Sequence, residues 1–174
     1  MNVKQLRLMK KEKISETYKR LKPRDIDFLV GNLTQKDDTI RYSAFLLLRK
    51  VSQQSPQVYQ YWDELDRKLE CQNSYQRNIG LRLISENVRW DKESKFEKTL
   101  GRYLPHCMDE KFVTSRQAIQ GLVTITRSTD RYNKKIQQAL DKLSLDKYNV
   151  GQRKLLRKDI SDVQSAINNK IVQK

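Results

Sequence analysis

The chain has 174 residues and a formal charge of +15, from 36 Lys and Arg against 21 Asp and Glu. Its length suits one domain that buries a core without staples, and its five Gly and three Pro argue for long helices and short connections. Cys71 and Cys107 are too few for a disulfide framework, the basic MNVKQLRLMKKEK start leads into no apolar stretch and so reads as no secretory signal, and the longest apolar run, Ala44 to Leu48, is far short of a membrane span.

Read in chain order, the apolar residues recur at helical spacing. The N-terminal segment, with Leu6, Ile14, Tyr18 and Leu21, predicts one helix over part of residues 1–22, or a partly flexible cap. Pro23 opens a second helix with Ile26, Leu29, Val30 and Leu33 inward. Asp37 or Asp38 caps a third, with Ile40, Ala44, Leu47, Leu48 and Val51 on one face. Ser55-Pro56 restarts the pattern for Val58, Trp62, Leu65 and Leu69.

Asn73 or Ser74 caps the next helix, with Ile79, Gly80, Leu83, Ile84 and Val88 inward. Asp91 opens a helix carrying Phe96, Leu100 and Leu104, and Pro105 lies at its end. Asp109 starts another, with Ala118, Ile119, Leu122 and Val123 inward. Its tail, VTITRST, is β-branched and has strand propensity. It reads as helix because its neighbours are helical and no partner strand is in sight. Asp130 caps a helix with Tyr132, Ile136, Leu140 and Leu143, and a last long helix carries Leu156, Ile160, Val163, Ile167 and Ile171.

Aligning IRYSAFLLL, QRNIGLRLI, SRQAIQGLV and QRKLLRKDI places Arg41, Arg77, Arg116 and Arg153 in one column, 36, 39 and 37 residues apart. Apolar Leu48, Ile84, Val123 and Ile160 follow seven residues after each. Three residues after the arginine, the first two copies have small Ala44 and Gly80, the third has Ile119 and the fourth Leu156. A two-helix period in this range indicates a helical solenoid.

The segment DDTIRYSAFLLL resembles the second helix of a HEAT repeat, where an acidic residue, an arginine and an alanine recur at this spacing. The resemblance covers roughly residues 23–172 and implies an all-α, α-α superhelix of the HEAT/armadillo kind with about four helix pairs, one domain over residues 1–174. The whole chain is also similar to small bacterial HEAT-like proteins that carry a SufBD-like label. That label borrows from iron–sulfur assembly scaffolds built on β-helical cores, a pattern missing from this sequence.

No residue set announces a reaction. His106 is the one histidine, His106-Cys107 is an adjacent pair rather than a metal-ligand spacing, and Cys71 lies 36 residues away. No cofactor, metal site, phosphate loop or nucleophile–base constellation is expected. Trp62-Asp63 and Trp90-Asp91 invite comparison with HEAT-like DNA glycosylases, but neither matches that motif residue by residue. Trp62 falls on an apolar helix face and Asp91 suits an N-cap.

The arginine column has two readings. Arg41, Arg77, Arg116 and Arg153 grip an anionic partner as a basic ladder, or they pin adjacent repeats through carboxylates such as Asp38 and Glu86. The expected function is a non-catalytic, cytoplasmic scaffold that binds a protein partner. The alternative is a basic nucleic-acid-binding protein, with a glycosylase-like enzyme third.

Overall fold

The computed structural model describes residues 1–172, with side chains through Asn169. The described residues form ten α-helices joined by short 3-10 segments, with no strand. α1 (Val3–Arg7) and α2 (Ile14–Thr17) precede α3 (Pro23–Gly31), α4 (Asp38–Gln54), α5 (Trp62–Arg67), α6 (Ser74–Asn87), α7 (Lys95–Tyr103), α8 (Phe112–Ser128), α9 (Asn133–Leu140) and α10 (Val150–Val172).

The packing has a simple order. α4 lies on α6, α6 on α8 and α8 on α10, while α3 packs on α4, α5 on α6 and α9 on α10. The core follows the helical spacing, with Ala44, Leu47, Leu48, Leu83, Ile84, Ala118, Ile119, Leu122, Leu156 and Val163 buried. Between the other helices runs an aromatic chain. Phe96 of α7 meets Trp62 of α5 at 6.3 Å, Tyr103 at 5.8 Å and Tyr132 at 5.0 Å, all near edge-to-face. Val123, Leu143 and Ile160 are only partly buried, and the expected inward position Ile171 lies outside the described side chains.

Two glycines allow the helices to approach. A Cβ on Gly80 would stand 2.8 Å from the Leu65 carbonyl oxygen, so α6 presses against the backbone of α5 there. A Cβ on Gly121 would collide with the Tyr103 hydroxyl and crowd Ser85. That hydroxyl reaches across to donate to the Ala118 carbonyl at 3.1 Å.

The N-terminus departs from the expected single helix. α1 ends at Arg7, Lys10 is extended, and two short 3-10 segments flank α2. Both pieces still pack on α4 through buried Leu6 and Ile14. Tertiary packing outweighs local continuity here, and Lys10, Lys11 and Lys13 would repel along a continued helix. The Ser55-Pro56 start differs as well. Ser55 makes no side-chain cap, and Pro56–Tyr61 is a 3-10 stretch before α5, its tighter bonds serving the uncapped turn. VTITRST is helical through Ser128, with Ile125 and Thr126 buried. Asp91 does cap α7, but from four residues ahead. Its oxygens accept from the Lys95 and Phe96 amides at 2.9 and 2.8 Å, around Ser94 at φ 59°. α9 starts at Asn133 with Tyr132 in the N-cap position.

Counting from the caps brings the four long helices into one register. The first helical hydrogen bond runs from Arg41 to Asp37, Arg77 to Asn73, Ser115 to Lys111 and Arg153 to Asn149. Ser115, not Arg116, thus holds the third position equivalent to the other arginines. Three residues on stand Ala44, Gly80, Ala118 and Leu156, so the third copy also has its small residue.

Side-chain bonds between distant parts of the chain link the series. Trp62 Nε1 donates to Thr99 Oγ1 at 3.0 Å, Trp90 Nε1 to the Ser52 carbonyl at 2.7 Å, and Asn87 Nδ2 to Ser52 Oγ at 2.9 Å. Tyr59 donates to Asp91 at 2.7 Å. Each joins residues 32 to 38 positions apart, close to the repeat length in the sequence.

Candidate binding groove

The four column arginines meet different fates. Arg41 pairs with Asp38 of its own helix, donates to the Gln35 carbonyl at 2.7 Å and lies over the Tyr75 ring at 5.1 Å. Arg77 is clamped. Its Nε and Nη2 each reach an oxygen of Asp109 at 2.8 Å, and its Nη1 donates to the Cys71 and Gln72 carbonyls. Arg116 reaches Asp159 of α10 at 2.7 and 3.1 Å. Arg153 is half-buried and makes no ion pair among the described residues.

The sequence reading proposed Asp38 and Glu86 as carboxylates from a neighbouring repeat. Asp38 instead stays within its own helix. Glu86 takes Arg49 at 2.9 Å and Gln53 at 3.0 Å, both from the preceding α4. The carboxylates that hold Arg77 and Arg116 are Asp109 and Asp159, and spacing alone could not select them. Asp109 also accepts from the Lys111 amide at 2.9 Å and meets His106 Nδ1 at 3.0 Å, and its carbonyl takes the Tyr148 hydroxyl at 2.6 Å. Burial pushes the Asp109 carboxyl up, but the Arg77 guanidinium and the other donors overcome it and leave the group below its ordinary value. Asp109 therefore joins three successive parts of the chain.

One side of the α4–α6–α8–α10 series forms a groove in two continuous parts. The first, about 730 Å³, is closed at one end by Met9, Lys11 and Ile14. Tyr42, Phe45 and Arg49 of α4, Tyr75, Asn78 and Arg82 of α6, and Val113 and Gln117 of α8 line it. The second, about 990 Å³, continues to Leu155 and Lys158 of α10 past Arg127. Arg82 and Gln120 belong to both.

On α6, Tyr75, Asn78, Ile79 and Arg82 recur at helical spacing and therefore share this face. Large apolar side chains stand exposed along it: Tyr42 at 48%, Tyr75 at 60%, Val113 at 58% and Leu155 at 41%. Each of the four long helices contributes one. Arg82 was not singled out by the sequence, because its register position holds Leu46, Arg82, Gln120 and Lys158 with no shared type. Tyr75, two residues before a column arginine and off the helix's apolar stripe, was the available signal.

The remaining sequence candidates lie in the packing. Trp62 and Trp90 are held by the bonds above, and Asp91 is occupied by α7 and Tyr59. Cys107 is buried, which pushes its thiol up to about 12. Cys71 is half-exposed at the end of a 3-10 segment. Among the described residues no three His, Cys, Asp or Glu side chains are placed to hold a metal ion, and no helix is long and apolar enough to cross a membrane. The sequence matches no protein-family model, and no curated protein matches it.

Proposed function

We propose that the chain is a short HEAT-like solenoid, a single helical-repeat domain over residues 1–174 with residues 1–22 as its cap, and that it serves as a non-catalytic cytoplasmic scaffold. Its working surface is the groove along α4, α6, α8 and α10, and its partner is a protein. The row of exposed Tyr42, Tyr75, Val113 and Leu155 carries this reading. Contiguous exposed apolar side chains on successive helices are the usual mark of a protein-contact surface, and repeat proteins present such faces as extended binding sites. The successive packing of the long helices and the one-repeat spacing of the cross-bonds support the solenoid.

Nucleic-acid binding is favoured by the net charge and by the groove cations that lack a carboxylate, Lys11, Arg82 and Arg127. A phosphate track needs several free cations along one face. Of the groove's arginines, Arg41, Arg49 and Arg116 are each matched by a carboxylate of the protein itself, which leaves Lys11, Arg82 and Arg127 interrupted by neutralised positions and by the exposed apolar row.

The test is capture of partners from nuclease-treated and untreated lysate, using the natural chain and Tyr75→Ala. The proposal expects a protein retained by the natural chain regardless of nuclease and lost with Tyr75→Ala. Retention that disappears with nuclease, or that ignores Tyr75, contradicts it.

A further inference from the structure

Arg82 sits where the two parts of the groove meet, and it is half-buried there without a carboxylate partner, whereas Arg127, also without one, is exposed. Arg41, Arg49 and Arg116 each have a carboxylate within hydrogen-bond distance. The Arg82 guanidinium has no hydrogen bond or ion pair among the described residues. It is only half-exposed, and it lies between Phe45, Leu46 and Ile79 on one side and Val123 and Leu155 on the other. Burial lowers the pKa of the guanidinium and the nearby Arg49 charge lowers it further, against a smaller opposing pull from Tyr103 and from Glu86, which Arg49 and Gln53 already hold. One turn earlier on the same helix and in the same groove, Asn78 keeps a buried Oδ1 with no partner. A half-buried cation is costly unless an anion completes it, and the Asn78 oxygen, an acceptor, would take an N–H of the same bound segment rather than its carboxylate.

We propose that Arg82 is the anchor for a carboxylate of the partner protein, and that the segment bound in the groove is amphipathic, with one acidic side chain set among apolar ones. This inference rests on the reading of the groove as a protein-binding face. The guanidinium offers the planar fork that a carboxylate fits with two hydrogen bonds, while Tyr42, Tyr75, Val113 and Leu155 take the flanking apolar groups. The groove crosses three helix spacings of roughly 8–10 Å each, or roughly 25–30 Å, which suits a helical segment of about 16–20 residues. The charge pattern selects a carboxylate over a nucleic-acid backbone. Arg82, half-buried among apolar side chains, complements a single anion framed by apolar groups, while Lys11 and Arg127, the other lining cations with no carboxylate, are exposed.

The experiment selects binders from a phage-displayed random peptide library of about 18 residues, the length set by the groove. Enriched peptides are then measured against Arg82→Gln, Tyr75→Ala and the exposed, groove-distant control Lys134→Gln, with a duplex DNA as a second probe. The melting temperature of each variant confirms that it folds. The expected result is enrichment of peptides with an Asp or Glu between apolar residues. Arg82→Gln weakens them roughly tenfold or more, changing that acid to its amide does the same, and the two changes together cost no more than one. Lys134→Gln leaves binding unchanged. Peptides that need Tyr75 but neither an acid nor Arg82 overturn the carboxylate anchor and leave the groove reading standing. No enriched peptide that depends on Tyr75, or duplex DNA bound through Arg82 in place of peptides, overturns both.

Discussion

Two arginines on one helix, five residues apart, show the two uses this molecule makes of positive charge. Arg77 is nearly sealed, with a bidentate carboxylate from the segment just ahead of α8 and two carbonyls around its guanidinium. Arg82 lies one and a half turns further along α6 and lines an open groove with no carboxylate in hydrogen-bond reach of its guanidinium. The first is part of how the helices are held in series. The second is an unfinished site. A net charge of +15 therefore says little by itself, because much of the arginine is already neutralised inside the fold.

The comparison is broken most forcefully at Arg77. Arg77→Met strands the buried Asp109 carboxylate, and the expected loss is roughly 3–5 kcal/mol in urea unfolding. The loss depends on pH in a defined direction. Asp109 is held below its ordinary value in the folded state, so its contribution is present above about pH 4 and disappears as pH falls through the lowered folded value. The gap in melting temperature between the natural chain and Arg77→Met should be full at pH 7 and close in strong acid. A gap that widened in acid would contradict this account.

A smaller effect is expected at the close approach of α5 and α6. Gly80→Ala places a Cβ against the Leu65 carbonyl, which must shift, at a cost of about 1–3 kcal/mol. Equal stability of the two proteins would show that the contact is looser than described. The least change is expected in thiol chemistry. In the native protein at pH 8, an aromatic disulfide reagent should modify Cys71 readily and Cys107 only on unfolding, since burial keeps Cys107 a neutral thiol. Release of two equivalents of dye from native protein would be the contrary result.

The helices were legible in the sequence because apolar spacing reports which face is buried. Even VTITRST, strand-like by propensity, is helical where Ile125 and Thr126 are buried. The arginine column was legible to within one residue, since Arg116 lies next to the Ser115 that shares its neighbours' register. Its partners were not legible. Asp109 is 32 residues from Arg77 and Asp159 is 43 from Arg116, and only the packing of α6, α8 and α10 brings them together. The groove was hidden for a related reason. Tyr42, Tyr75, Val113 and Leu155 share no single residue type or register position, and their exposure depends on what the neighbouring helices leave uncovered.

The contrast within α6 is tested most directly by unfolding Arg77→Met and Arg82→Met side by side in urea at pH 7. The account predicts that the first loses roughly 3–5 kcal/mol. The second should stay within about ±0.5 kcal/mol of the natural chain, or gain, because it removes a half-buried charge that makes no side-chain hydrogen bond. A loss at Arg82→Met as large as that at Arg77→Met would mean that Arg82 is itself part of the structural frame, and the groove would have no open anchor.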